Sequence, residues 1–215
     1  MVIKRKQVLI TAGPTWVAID NVRVISNIAT AQTGLLLAER FNRLGAKVTL
    51  ILGPVQLCCL DKKIKTLRFQ FFEDLQGILA RELKLKKYDI VIHSAAVSDY
   101  RPKLSYKQKV GSGKKSWKIN LIPTPKLINT IKKIQKDAFL VGFKFIPQSR
   151  REILLKASRQ LLKQANADLI VANTIDKKGY SAYVVDKSAT KGPVFSKEAL
   201  VEKLSQEILK NDDRT

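Results

Sequence analysis

A mostly parallel α/β sheet with helices on both faces is the fold this sequence predicts, and three observations carry it. Short apolar runs without polar alternation (Val8-Leu9-Ile10, Val48 to Leu52, Ile90-Val91-Ile92) read as strands buried on both faces. Amphipathic stretches of helical period separate them, so successive strands are joined by crossovers rather than hairpins. Small and polar residues stand at strand ends, as in Thr11-Ala12-Gly13-Pro14-Thr15, where bare backbone N–H groups can receive a ligand. Together these features predict a three-layer, Rossmann-like arrangement forming one domain over residues 1–215.

In chain order, the first strand is Gln7–Ile10 and the first helix Thr33–Leu44, with Gly45 in the C-cap position. Between them lie about twenty residues where most such folds pass straight from the glycine turn into the helix. These carry Asp20, Arg23, Ser26 and Asn27 among apolar residues, which is the chemistry of a binding loop. Lys47–Leu52 is the second strand, turning at Gly53-Pro54; Lys65–Phe71 is a short third strand and Phe72–Leu85 a helix. Tyr88–Ser94 and Ala138–Phe143 are the fourth and fifth strands. Arg150–Ala165 is a helix, Asp168–Asn173 and Ser181–Val185 the sixth and seventh strands. The closing helix is Ser196–Lys210 with Ser196 as N-cap, and the tail from Asn211 is expected to fray.

One region is irregular. From Asp99 to Pro125 the chain holds seven lysines and arginines, two glycines and three prolines, with no helical period. A long basic segment of this kind is expected to form a β-flap insertion, with Ser116–Ile122 as one of its strands.

Composition narrows the function. The net charge is +22, from 40 Lys+Arg against 18 Asp+Glu, which attracts nucleic acid, anionic lipid or phosphorylated small molecules. The lysines are scattered through most elements, so the same charge also serves plain solubility. The only cysteines, Cys58 and Cys59, are adjacent and unsuited to a structural disulfide, which suggests a reducing cytoplasm. The apolar run after the first basic residues is too short for a signal peptide, and no stretch approaches the roughly 20 apolar residues of a membrane span. With a single histidine and no metal-ligand spacing, no metal site is expected. G-x-G-x-x-G, G-x-x-x-x-G-K-[ST] and G-x-S-x-G are all absent, which argues against hydride transfer, P-loop hydrolysis and triad hydrolysis. His93, inside the fourth strand, reads as a satisfied structural histidine.

What remains is a set of polar strand ends. Ala95 and Ala96 allow a flat ligand to approach the backbone. Asp99 can accept from ribose hydroxyls or an exocyclic amine, or simply cap a turn. Phe143, after Gly142, can stack a base or join the core.

These segments resemble a known family. I-T-A-G-P-T (Ile10 to Thr15), I-D-x-V-R-x-I-S-N (Ile19 to Asn27), A-A-V-S-D-Y-R-P (Ala95 to Pro102), V-G-F (Val141 to Phe143) and A-D-L-I-V-A-N (Ala167 to Asn173) are similar, in this order, to phosphopantothenate–cysteine ligase. That enzyme is the synthetase half of the bifunctional coenzyme A biosynthesis flavoprotein. The resemblance implies ligation of 4′-phosphopantothenate to L-cysteine through an acyl-nucleotidylate, with CTP or ATP as cosubstrate and Mg2+ accompanying the nucleotide. It implies no flavin, since the decarboxylase half that binds one has no room here. By the same resemblance Asn27 holds the acyl-nucleotidylate and Lys109 of the flap closes over the substrate. Gly13, Arg23, Ala95, Ala96, Asp99 and Phe143 bind nucleotide, and Asp20, Ser26 and Arg101 contact substrate. A cytoplasmic homodimer is implied as well, with small molecules as its ligands and neither membrane nor nucleic acid as partner.

Three departures stand out, one of them Lys144-Phe145-Ile146 after V-G-F where the family has small residues and a glutamate. After I-S-N the family shows S-S-G-K-M-G, a phosphate-cradling turn with a lysine; here Ile28 to Gly34 read I-A-T-A-Q-T-G, with Ala31 and Gln32 in place of the glycine and lysine. The flap motif K-x-K-K reads Lys109-Val110-Gly111-Ser112, with Lys114 and Lys115 following. A divergent relative with another acid substrate or reduced activity is the alternative these changes raise. A basic nucleic-acid-binding module, using Tyr100, Tyr106 and Trp117 of the flap, is the rival from another class.

Overall fold

The apolar runs of the sequence lie side by side in one sheet. The computed structural model describes residue 3 and residues 5–56 and 61–212; the adjacent cysteines fall outside these. Along the chain the elements are β1 (Gln7–Ala12), β2 (Trp16–Ala18), β3 (Val24–Ser26), α1 (Gln32–Arg43), β4 (Lys47–Leu52), β5 (Lys65–Arg68), α2 (Phe72–Leu85) and β6 (Ile90–His93). They continue as β7 (Tyr100–Pro102), β8 (Leu121–Pro123), α3 (Ile128–Ile134), β9 (Phe139–Phe145), α4 (Arg151–Gln164), β10 (Leu169–Asp176), β11 (Gly179–Val185), β12 (Thr190–Val194) and α5 (Lys197–Asp212). The main sheet has the order β12-β11-β10-β9-β6-β1-β4-β5. From β10 to β5 every pairing is parallel; β11 and β12 are added antiparallel at one edge.

The layers follow from side-chain alternation along the buried strands. Val8 and Ile10 of β1 point into one apolar cluster with Leu37 and Phe41 of α1 and Leu200 and Leu204 of α5. Leu9, between them, points the other way, toward Leu75 and Leu79 of α2, Ile131 of α3 and Leu162 of α4. A strand apolar at every position is what a sheet covered on both faces requires. Gly45, just past α1, takes φ 90° and donates its N–H to Asn42, a helix ending that needs the left-handed conformation. Ser196 caps α5, its Oγ accepting from the Ala199 N–H at 3.0 Å.

Several elements differ from expectation. The third strand stops at Arg68, because Phe71 has become the N-cap residue of α2. β12 and α3 were not expected: T-K-G-P-V reads as a turn, yet an edge strand tolerates a proline without an N–H. α5 runs past the expected end at Lys210, through Asn211, whose Nδ2 donates to the Glu207 carbonyl at 2.8 Å. Within the flap only the short β7–β8 pair is regular, Tyr100 opposite Pro123; residues 103–120 carry neither helix nor strand, and the expected strand over Ser116–Ile122 shrinks to Leu121–Pro123.

β12 and α5 are tied by a buried carboxylate. Glu207, with its side chain 2% exposed, accepts from Lys191 at 2.5 Å and lies 3.6 and 3.5 Å from the ammonium groups of Lys203 and Lys210. Burial works to raise its pKa, but the bond from Lys191 and the surrounding ammonium charges outweigh it and leave the pKa lowered. A depressed folded-state pKa stabilises above the unfolded value and is lost as pH falls through the folded one. Glu207→Gln is therefore expected to cost about 1–2 kcal/mol at neutral pH, modest because the lysines reach solvent. In urea unfolding the gap between variant and wild type should narrow as pH drops below about 4; a gap independent of pH would rule this origin out.

Candidate functional site

From β1 the chain moves outward to β4 and β5, then returns across β1 to β6 and on to β9 and β10. An open α/β sheet forms its ligand crevice at such a reversal, outside the carboxyl ends of the two strands. Here these are the ends of β1 and β6.

Residues beyond both strands prolong their pairing. The Ala96 N–H donates to the Gly13 carbonyl at 2.9 Å and the Thr15 N–H to the Ala96 carbonyl at 3.3 Å. Gly13 has φ 87°, and a Cβ there would sit 3.1 Å from the backbone of Gly53, so the turn after β1 needs glycine. The loop that follows is not open coil but the hairpin β2–β3, Trp16 opposite Ser26, anchored by the edge-on contact of Trp16 with Phe71. The hairpin returns Ser26 and Asn27 to the seam. Ser26 Oγ donates to the Thr15 carbonyl at 3.2 Å, and Asn27 Nδ2 to the Ala96 carbonyl at 2.9 Å. Gly13, Ser26, Asn27, Ala95 and Ala96 thus occupy one place, although up to 83 residues separate them along the chain.

Below the seam, Thr11 Oγ1 lies 2.8 Å from His93 Nδ1. Burial pushes the His93 pKa down to about 4, so the ring is neutral at physiological pH and serves the strand pair as a hydrogen-bonding group. Thr15 and Ser98 exchange hydroxyl and backbone bonds, and Thr124 Oγ1 donates to the Ser98 carbonyl at 2.5 Å, fixing where the flap leaves the sheet.

The other expected residues spread around this seam. Phe143, half-buried at the end of β9, packs on the α1 face. Asp99 is exposed, its Oδ1 accepting from Lys126 Nζ at 2.6 Å, and Arg101 is exposed on β7. Asp20 is buried, and both it and Arg23 are turned toward the flap at Val110. Lys109, beside Val110, is exposed.

α1 begins at the same edge. Ala31 takes φ 60° and offers no side-chain cap, and the Gln32 N–H at the start of the helix donates instead to Thr30 Oγ1 at 3.5 Å. Gly34 brings α1 against β1: a Cβ there would lie 2.4 Å from the Ala12 Cβ. A cation stands nearby all the same, since Lys197 Nζ, at the start of α5, donates to Gln32 Oε1 at 2.8 Å. No signal in the sequence connects Lys197 to residue 32. Asn173, closing the A-D-L-I-V-A-N segment on β10, has a buried Oδ1 with no hydrogen-bond partner among the described residues.

Elsewhere, a cleft of about 790 Å³ opens at the opposite, amino edge of the sheet, lined by Lys47, Lys63, Lys65, Lys86 and Lys87 and by none of the motif residues. Among the described residues no three histidine, cysteine, aspartate or glutamate side chains gather as a metal site, and no helix is long and apolar enough to cross a membrane.

Comparison with known proteins places this geometry. The family model described as "DNA/pantothenate metabolism flavoprotein C-terminal domain" matches residues 3–211. The coenzyme A biosynthesis bifunctional protein CoaBC of Thermococcus kodakarensis is 37% identical over 213 residues, covering 97% of this chain and 52% of that protein. The chain spans about half the length of the curated relatives it matches. Among solved structures, the DNA/pantothenate metabolism flavoprotein from Streptococcus pneumoniae superposes with a TM-score of 0.86 at 27% identity, covering 96% of this chain and 99% of that one. The C-terminal domain of a CoaBC protein gives 0.81 at 26% identity, covering 99% and 98%.

Proposed function

Because this chain belongs to the family of DNA/pantothenate metabolism flavoprotein C-terminal domains, we propose that it joins 4′-phosphopantothenate to L-cysteine at the expense of CTP or ATP. One observation carries the reading. The glycine turn, the Ala95-Ala96 pair and Asn27 converge at the switch point of a sheet that the family shares.

In this reaction a carboxylate oxygen attacks the α-phosphorus, pyrophosphate leaves, and an acyl-nucleotidylate forms. The cysteine amine then attacks the acyl carbon, loses a proton and expels the nucleoside monophosphate. Two anions must meet in the first step, so fixed donors and positive charge dominate catalysis. The chain offers Asn27 Nδ2 across the β1–β6 seam to hold the intermediate, and Ala95 and Ala96, with only methyl side chains, as a flat face under the base. In this reading Asp99 and Phe143 take ribose and base, and Arg101 and Lys109 meet substrate from the flap. Lys197 supplies to the turn before α1 the charge that Gln32 lacks. The two carboxylates among the proposed site residues are taken, Asp20 by the donors of its own turn and Asp99 by Lys126. They do not form a Mg2+ site, and the ion would be held by the triphosphate and its own waters.

The neutral turn at Ile28 to Thr33 favours a second reading, a relative working on another acid. The nucleic-acid rival is weaker, because the Trp117 ring lies under Arg23 rather than open to a base. A homodimer has support in the apolar residues exposed on and beside the small sheets, Val22, Val24, Tyr100, Leu104 and Leu121. A cytoplasmic location accords with the substrates. Incubating the protein with CTP or ATP, phosphopantothenate and cysteine is expected to yield pyrophosphate, nucleoside monophosphate and phosphopantothenoylcysteine. The absence of product with both nucleotides would overturn the ligase reading.

A further inference from the structure

Asp20 has nothing left to offer a substrate. Its Oδ1 accepts from the Val22 and Arg23 N–H groups at 2.9 and 2.8 Å. Its Oδ2 accepts from the Val110 N–H at 3.0 Å and from Arg23 Nε and Nη2 at 3.0 and 2.5 Å. A carboxylate has about four lone-pair sites, and five protein donors already surround this one, whose side chain is 0% exposed. Arg23 is committed through Nε and Nη2. Its Nη2 also donates to the Val110 carbonyl at 2.7 Å, and its guanidinium stacks 4.4 Å above the Trp117 ring. Tyr106 adds a further tie, donating its N–H to the Ile19 carbonyl at 3.0 Å and resting its ring against Trp117. The irregular segment 103–120 is therefore held to the β2–β3 turn at Tyr106, Val110 and Trp117. Between the first two lies Lys109.

We propose that Asp20 and Arg23 are positioning residues: they clamp Val110 on both its N–H and its carbonyl, and so fix the adjacent Lys109 for the reacting phosphates. The inference rests on the ligase reading for Lys109, but the clamp itself is geometric. It departs from the resemblance, which gives Asp20 to substrate and Arg23 to nucleotide. The guanidinium beside Asp20 holds its carboxyl well below the usual carboxylate range, so the clamp keeps its charge at neutral pH. Asp20→Asn preserves the shape but sets an NH2 group against donors, which breaks the tie to Val110 or to Arg23.

The test uses the whole chain and two independent readouts. In Asp20→Asn, amide hydrogen exchange at Val110 and its neighbours should accelerate at least about tenfold, while the main sheet stays protected. Steady-state turnover should fall about 10²-fold in kcat, the loss a small misplacement of a reacting group produces. KM for the nucleotide should stay within about threefold, since the binding groups of β1 and β6 are untouched. Trp117→Leu removes the stacked ring but keeps the carboxylate, and should speed the same exchange if Asp20→Asn folds poorly. Unchanged exchange in both variants would overturn the clamp. Faster exchange with unchanged kcat would overturn the positioning role. If wild type makes no ligation product yet exchange accelerates in the variants, the ligase reading fails and the positioning role falls with it, while the clamp stands.

Discussion

Asn27→Asp is expected to lower product formation by about 10² to 10³-fold, the scale seen when one oriented donor is removed from an anionic transition state. Asn27 Nδ2 donates to the Ala96 carbonyl across the seam. An aspartate in its place has no donor at neutral pH, so an anionic oxygen would face that carbonyl and swing away from it. It would also bring negative charge toward an acyl-nucleotidylate that is already anionic. Nucleotide binding, carried in the proposed site by the small-residue face at Ala95 and Ala96, should change far less. Pyrophosphate release and phosphopantothenoylcysteine formation, measured side by side, would separate the two steps. The second should suffer more. Unchanged turnover would remove Asn27 from the mechanism.

Gly34→Ala is expected to cost about 1–3 kcal/mol, and Gly34→Val more, through overpacking where helix meets strand. The added Cβ would lie 2.4 Å from the Ala12 Cβ and 2.9 Å from Ser94 Oγ. Neither neighbour yields easily. Ala12 is β1 itself, and Ser94 Oγ is bonded to the Thr11 carbonyl at 2.7 Å. α1 must therefore lift from the sheet, taking the turn at Ala31 and Gln32 with it. In thermal unfolding each kcal/mol should lower Tm by about 2–4 °C for a chain of this size. Gly77, on the exposed face of α2, is the contrast: a Cβ there meets nothing within 4 Å, and alanine should add about 0.5–1 kcal/mol. Equal melting of Gly34→Ala and wild type would mean that α1 can shift freely.

The centre of the fold was legible because its physics is local. β1, β4 and β6 are buried on both faces and announce themselves as unbroken apolar runs, and α2 begins and ends where its period does. β12 was not, since an edge strand may carry the glycine and proline that elsewhere mark a turn. The β2–β3 hairpin was hidden too: three-residue strands are too short to show alternation. In the site, Gly13, Asn27 and the Ala95-Ala96 pair were readable as motif residues at strand ends. What each polar group bonds to was not. One of the donors to Asp20 lies 90 residues away at Val110, and the cation beside Gln32 lies 165 residues away at Lys197. Contacts at such separations leave no periodic trace, so residue type gave the place and the fold decided the use.

The contact of α5 with α1 also orders events in time. Leu200 and Leu204 close the apolar layer that α1 opens, and Lys197 completes the surroundings of Gln32. During synthesis β1 and α1 emerge well before α5, the helix that covers them. Such distant closure is slow to form, and until it does the α1 face of the sheet stays open to water and to other chains. The α1 face of the sheet is thus the part most in need of shelter until α5 is made, and the surroundings of Gln32 are completed only then.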